Sequence, residues 1–263
     1  VFQPWQQTQR LARQLGGAIA FYTCLPIPLS WPLEFAHIAR WAPLIGLAIG
    51  AALGLGDGLL QFLGCPNLTR SALVVSLWIA VTGGLHLDGA MDTADGLAVT
   101  EPQRRLVVMA DSHAGAFGIM CAIALFTLKT SALSELECHR AIALMTAAGW
   151  GRWGQLLAIA CYPYLKPTGK GAFHKATVVV PWDPLLGLLF LLGFSGLQLV
   201  LWGFPGTLVV RMIVSSGVIA WMTGAWLNFK LGGHTGDTYG AIVEWTETLI
   251  LCGLVLVHPF KTA

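Results

Sequence analysis

The sequence predicts an all-α integral membrane protein, a polytopic helical bundle with about seven transmembrane helices. Three observations predict it. Hydrophobic residues make up 56% of the 263 and charged residues 11%, where a soluble domain carries about 25% charge. The mean hydropathy is +0.69, and the apolar excess is spread along the chain rather than gathered in one anchor. Glycine is abundant, at 31 residues, which suits helices that approach closely within a bilayer. The formal net charge of +2 is too small to point to a nucleic-acid partner; the lipid bilayer is the expected surroundings.

Seven apolar runs carry the expected spans, at about 41–63, 69–87, 114–134, 141–162, 184–204, 207–229 and 240–258, each near the length that crosses a hydrocarbon core. The run at 141–162 is the weakest, because it contains Arg152. Residues 1–40 form an N-terminal interfacial segment. Arg10 and Arg13 precede an apolar stretch from Leu15 to Phe21, and Pro26 and Pro28 follow, so a proline-terminated helix on the membrane surface fits better than a cleaved signal. No internal repeat stands out, and one membrane domain over 1–263 is expected. The six cysteines contain no C-x-x-C pair and read as small buried hydrophobes.

If each run crosses once, the connections fall on two sides. One side receives 1–40, 88–113, 163–183 and 230–239, with Arg10, Arg13, Arg40, Arg104, Arg105, Lys166, Lys170, Lys175 and Lys230. The other keeps Arg140 and Lys261, with Arg70 and Arg211 near its boundary. The positive-inside rule makes the basic side cytoplasmic. Every unusual polar motif falls on that same side, although the span count made no use of the motifs.

The first motif runs from Thr82 to Gly96. In it Asp88, Asp92 and Asp95 are spaced i, i+4, i+7, which on a helix places them within roughly 60° of one another. Three carboxylates on one face repel unless a cation lies among them, and a hard cation such as Mg²⁺, or Mn²⁺, prefers oxygen ligands. Asp111, on the same side, is a fourth candidate ligand, so a metal site at the cytoplasmic face is expected. A solvated acidic helix end is the plainer alternative; carboxylates directly following an apolar run weigh against it. His86 points to the opposite face of any shared helix and reads equally well as a packing residue or a ligand.

The second motif, Leu231 to Gly240, contains Gly233, His234, Thr235, Gly236 and Asp237 ahead of Glu244 and Glu247. A glycine-rich turn opening a helix can cradle a phosphate. Asp237 is either a helix cap or a functional carboxylate sharing a face with Glu244, which lies inside an apolar run and needs a partner; Glu247 lies on an adjacent face. A third, basic stretch spans Tyr162 to Lys175 and includes Lys166 and Lys170. It either binds an anionic substrate or only marks topology. Arg152, within a span, needs an anion. Asp57 reads as a helix-end residue far from the chemistry. Candidate substrate contacts are thus His86, Arg104, Ser112, Arg152, Lys166, Lys170 and His234.

These residues resemble a known family. Gly83-Gly84-Leu85-His86-Leu87-Asp88-Gly89 through Asp95-Gly96 is similar to the signature of the cobalamin-5′-phosphate synthases, also called adenosylcobinamide-GDP ribazoletransferases. The likeness recurs in Phe21 to Pro28, in Pro43-Leu44-Ile45-Gly46, in Asp111-Ser112 and in Gly232 to Thr238. The family often has Arg where Cys24 stands and Gln where His234 stands. The resemblance implies a Mg²⁺-dependent, multi-pass enzyme of a bacterial or archaeal cytoplasmic membrane, with its active site facing the cytoplasm. It would join adenosylcobinamide-GDP to α-ribazole or α-ribazole 5′-phosphate and release GMP, late in cobamide assembly. The catalytic aspartates would be Asp88, Asp92, Asp95 and Asp111, holding one or two metal ions.

Two rivals remain. Asp92-Thr93-Ala94-Asp95-Gly96 matches the opening of the CDP-alcohol phosphotransferase pattern, but Val99-Thr100 and Gly115 break its continuation. An ion-coupled transporter would place carboxylates near the bilayer midplane, often within repeats; here the acidic motif lies at one face.

Overall fold

The structure, a computed structural model, describes residues 4–28, 30–166 and 169–256, apart from the side chains of Pro4 and Lys170. The described residues are helical, joined by turns, with one isolated backbone bridge between Tyr164 and His234. The helices are α1 (Pro4–Tyr22), α2 (Ala42–Phe62), α3 (Asn67–Val81), α4 (Leu85–Ala98), α5 (Pro102–Val108), α6 (Ala116–Glu135), α7 (Arg140–Cys161), α8 (Lys170–Thr177), α9 (Trp182–Leu201), α10 (Gly206–Leu231) and α11 (Gly236–Leu254).

Helix α1 is exposed over its first turns, and Arg10 is tied to Glu34 at 2.9 Å. It stops before the Leu-Pro-Ile-Pro block, whose prolines cannot continue a helix. Each of the seven apolar runs corresponds to a helix, with one break. The run at 69–87 ends as α3, and Gly83 and Gly84 take positive φ of 62° and 69°. Two consecutive left-handed residues favour glycine and stop the helix. The chain turns 90° there and restarts as α4, which lies across the N-terminal ends of α6 and α11.

Four segments are long and apolar enough to cross a membrane: Ile38–Phe62, Ala116–Glu135, Trp182–Trp202 and Gly206–Leu231. The bent α3–α4 pair makes a fifth if taken as one span. This is a multi-pass membrane protein, with fewer spans of that kind than the seven expected. The difference lies in α7 and α11. Helix α7 carries Arg140 and Arg152, and α11 carries Asp237, Glu244 and Glu247. Both form the middle of the bundle, where α7 packs against α2, α9, α10 and α11. A helix enclosed by other helices need not be compatible with lipid, so its hydropathy does not report its position.

The core gathers around this middle. Ala143, Leu144, Ala147 and Ala148 of α7 meet Ile45, Ile49 and Leu53 of α2, and Leu251 of α11 joins them. The small residues of α7 let its backbone approach α2 closely, the usual packing mode of membrane helices. The cysteines differ from expectation: Cys121 is buried, but Cys24 and Cys161 are exposed and the other three are partly so.

Two charge clusters lock the bundle away from its acidic end. Near the start of α7, Asp57 of α2 pairs with Arg140 at 2.8 Å and Arg70 at 3.4 Å. Asp57 is a buried clasp rather than a frayed helix end, and it is remote from the acidic motif as expected. In the middle, Lys129 of α6 binds Glu244 at 2.7 Å and Glu247 at 2.6 Å, while Arg152 of α7 binds Glu247 at 2.7 Å. Two cations face two carboxylates, and all four side chains are almost wholly enclosed.

Candidate active site

At the opposite end from Asp57 a cavity of about 310 Å³ opens between α4, α7, α8, α11 and the loop before α8. Its rim is charged, with Asp88, Asp237 and Lys166, and its floor contains His86, Gln155 and His174. The volume lies at the small end of the range for small-molecule sites.

The cavity exists because α4 and α11 cross in close contact. A Cβ on Gly89 would stand 2.6 Å from the Asp237 carbonyl oxygen, and one on Gly240 would stand 2.8 Å from that of His86. Only glycine at both positions allows this approach. The crossing sets Asp88 of α4 beside Asp237 of α11.

Helix α11 starts at a capping box. Thr235 caps it, accepting from the Thr238 backbone N–H at 3.4 Å, while the Thr238 hydroxyl accepts from the Thr235 N–H at 2.8 Å. This decides between the two readings of Asp237. Thr235 does the capping, so Asp237 is free to face the cavity, where it accepts from Lys166 Nζ at 2.8 Å and from the Thr235 hydroxyl at 3.1 Å. Gly236 also lines the cavity. Gly233 allows the preceding turn to pass the 163–165 segment, where a Cβ would stand 2.8 Å from the Pro163 carbonyl. His234 is wholly buried and fixes that turn: its N–H donates to Pro163, its carbonyl accepts from Leu165, and its Nδ1 lies 3.1 Å from the Thr238 hydroxyl. Burial pushes the His234 imidazole down to about 4, so it is neutral. Its place is structural rather than at the substrate.

The three aspartates of the first motif and Asp111 do not assemble into one cluster. Among the described residues no group of three or more His, Cys, Asp or Glu side chains stands close enough to hold a metal ion. Asp95 is occupied: its two oxygens accept from the backbone N–H groups of Gly115 and Gly118, both at 2.8 Å. These are the N-cap and third-position donors of α6, which otherwise lack partners. Asp111 lies in the exposed turn before α6, 2.7 Å from His113 Nδ1, and that contact holds its carboxyl below the usual carboxylate range. Helical spacing put Asp88, Asp92 and Asp95 on one side of α4 but was blind to the claim α6 makes on Asp95. Asp92 remains crowded. Its carboxyl is pushed up to about 6, by partial burial first and then by the charges of Asp88, Asp237 and Asp95, with Lys166 opposing them.

Other expected contacts are redistributed. Arg152 finds its anion in Glu247, so it serves the bundle and does not reach the cavity. Glu244 has its partner in Lys129, away from Asp237. Glu247, read as the lesser of the two, binds both cations. Arg104 is exposed and pairs with Glu101 at 3.7 Å; Ser112 is exposed beside Asp111; neither lines the cavity. Lys170 lies outside the described side chains. Lys129 and Gln155 were missed, while His174 and Tyr239 lie within the third and second motifs without being singled out. A lysine inside the run at 114–134 was a usable signal, since an intramembrane cation needs a counter-charge and Glu244 was at hand. Gln155 gave none, because only the fold brings α7 to the floor of this cavity.

Fold and site together define a multi-pass helical membrane protein with a carboxylate- and lysine-rimmed cavity at one end of the bundle. The chain belongs to the cobalamin-5-phosphate synthase family, whose model matches residues 14–255. It is 57% identical to the adenosylcobinamide-GDP ribazoletransferase of Trichormus variabilis, covering 94% of this chain and 98% of that one. It is 53% identical to the protein of that name from Synechocystis, over 92% and 94%, and 37% identical to one from Prochlorococcus marinus, over 94% and 96%. No solved structure matches.

Proposed function

We infer that this protein is an adenosylcobinamide-GDP ribazoletransferase. It transfers the phosphocobinamide group from adenosylcobinamide-GDP to α-ribazole or α-ribazole 5′-phosphate and releases GMP. The acceptor's 5′ oxygen bonds to the phosphorus that carries cobinamide, the bond from that phosphorus to GMP breaks, and the acceptor hydroxyl loses its proton. Family membership and the names of near relatives support the reaction. The observation that carries the site is the charge cluster in which Asp88, Asp237 and Lys166 stand at the cavity rim and Asp92 lies close enough behind it to feel all three.

That crowding fits a divalent cation, since an excess of carboxylate beside one lysine is the charge pattern a hard cation relieves. Asp88 and Asp92 are the residues to hold Mg²⁺, or Mn²⁺. Asp95 would have to release the α6 N-terminus to join them, and Asp111 would have to leave His113. When bound, the ion neutralises diphosphate charge as it builds on the leaving oxygen. Lys166 supplies a further positive charge to the phosphates, and Asp237 orients it. The narrow, partly apolar cavity limits water, which would otherwise compete as acceptor. The basic residues on this end support a cytoplasmic orientation under the positive-inside rule, with the protein in a bacterial or archaeal cytoplasmic membrane.

One observation bears on the transporter reading: Glu244 and Glu247 lie midway through the bundle. Lys129 and Arg152 neutralise them at hydrogen-bond distance, so they form a bundle lock rather than an open ion path. Purified protein in detergent with Mg²⁺ should release GMP and form cobamide in equal amounts, and a chelator should stop both. Absence of GMP release with both substrates present would overturn the assignment.

A further inference from the structure

The floor of the cavity differs in chemistry from its rim. His86, His174 and Gln155 line it, at 2%, 2% and 5% exposure. Both ring nitrogens of His86, both of His174 and the Oε1 of Gln155 have no hydrogen-bond partner among the described residues. Tyr22, at the end of α1, packs behind this floor, nearly parallel to both imidazoles, with ring centroids 6.4 Å from His86 and 6.1 Å from His174. The hydroxyl of Tyr239, on the α11 wall of the cavity, is also buried and unpartnered. Phe21 and Tyr164 complete an aromatic surround.

Buried polar groups are nearly always paired, and leaving one unpaired costs about 1–3 kcal/mol. Several such groups facing one cavity are therefore more economically read as ligand contacts than as packing. Among the described residues no carboxylate, lysine or arginine lines this floor; the lining charges stand at the rim, and the Arg152 guanidinium lies behind the floor, bound to Glu247 and close enough to act on His86. Imidazole, phenol and amide groups offer both donors and acceptors. They suit an uncharged partner that has both, carried on a flat ring that can lie against aromatic walls.

We propose that His86, His174, Gln155 and Tyr239 form a nucleoside subsite, which receives the ribose hydroxyls and heteroaromatic ring of one substrate while the rim holds its phosphate end. The proposal rests on the transferase reading for the identity of the nucleoside. The cavity admits a nucleoside and is far too small for a corrin macrocycle with its amide arms. Two nucleosides share the chemistry, the ribazole acceptor and the guanosine of the donor. The acceptor is favoured because its 5′ oxygen must reach the rim while its base stays enclosed, whereas GMP has to depart.

The test uses Tyr239→Phe and His174→Phe, which keep an aromatic ring and remove polar atoms. Affinities for α-ribazole and for GMP are measured separately by equilibrium dialysis on purified protein in detergent, alongside the thermal midpoint. Each variant is expected to bind α-ribazole about three- to tenfold more weakly, the loss of roughly one hydrogen bond, with GMP binding unchanged. The thermal midpoint of the free protein should hold or rise, because an unpaired buried group has been removed. Weaker GMP binding with α-ribazole unaffected would keep a nucleoside subsite and assign it to guanosine. Unchanged affinity for both ligands in both variants, or a fall in thermal midpoint as large as the loss of binding, would overturn the proposal. Because these are binding measurements, they stand apart from turnover. A wild-type protein that binds α-ribazole through this floor yet releases no GMP would sink the transferase reading and leave the subsite in place.

Discussion

Asp95 and Asp237 show how neighbours decide the work of a carboxylate. Both lie in acidic motifs legible in the sequence, yet one is fully engaged in capping α6 and the other faces the cavity because Thr235 caps α11 instead. Replacing Asp95 with Ala strips the start of α6 of two charge-assisted hydrogen bonds. It is expected to lower stability by about 1–3 kcal/mol, seen as a fall in thermal midpoint without added metal. A residue whose only work was to bind metal would leave the metal-free protein unchanged. Lys166 is expected to behave differently. Lys166→Ala should raise the KM for adenosylcobinamide-GDP several-fold with little loss of stability, because the lysine is part-exposed and its pair with Asp237 contributes only about 0–1 kcal/mol to folding. Steady-state kinetics beside a melting curve separate the two cases. The spacing of Asp88, Asp92 and Asp95 was readable from helical period, whereas the donors that bind Asp95 come from Gly115 and Gly118, which offer no side chain to notice.

Between elements, the α4–α11 crossing and the mid-bundle charge lock position the site. Gly89→Ala would drive a Cβ into the backbone of Asp237. Overpacking of this kind costs about 1–3 kcal/mol, and here it also separates Asp88 from Asp237, so GMP release should fall more steeply than stability. The lock gives a second, sign-dependent expectation. Lys129→Met leaves Glu244 and Glu247 facing only Arg152, and breaking a buried pair in this way costs about 3–5 kcal/mol. Adding Glu244→Gln restores one cation to one carboxylate, so the double variant should melt above the single one. A double variant less stable than Lys129→Met alone would show that Lys129 holds the bundle through its stack on Trp78, at 4.5 Å, rather than through charge. The helices themselves were legible from apolar runs. The turn at Gly83–Gly84 was not, because the run at 69–87 is continuous in hydropathy and only backbone handedness interrupts it.

For the whole molecule, hydropathy and charge asymmetry foretold a helical membrane bundle with its functional motifs at one end. They overstated how many helices face lipid, because α7 and α11 are apolar at moderate level and sheathed by their neighbours. If both nevertheless cross the bilayer, seven spans leave the two termini on opposite sides. Reporter fusions at Val1 and Ala263 should then give opposite locations, with Val1 in the cytoplasm; the same location for both would require an even count. The central claim is that the cavity between α4 and α11 is where the donor's diphosphate is cleaved. Asp92→Asn tests it most directly, since Asn keeps the size and one acceptor oxygen while removing the charge that holds a hard cation. Purified variant and wild type, matched for thermal midpoint, are compared for GMP release at saturating Mg²⁺ with adenosylcobinamide-GDP and α-ribazole. Loss of metal-assisted neutralisation should cost several kcal/mol at the transition state, at about 1.4 kcal/mol per tenfold, so a fall of roughly a thousandfold is expected. Turnover within a few-fold of wild type would mean that Asp92 is an ordinary interfacial residue and that the reaction takes place elsewhere.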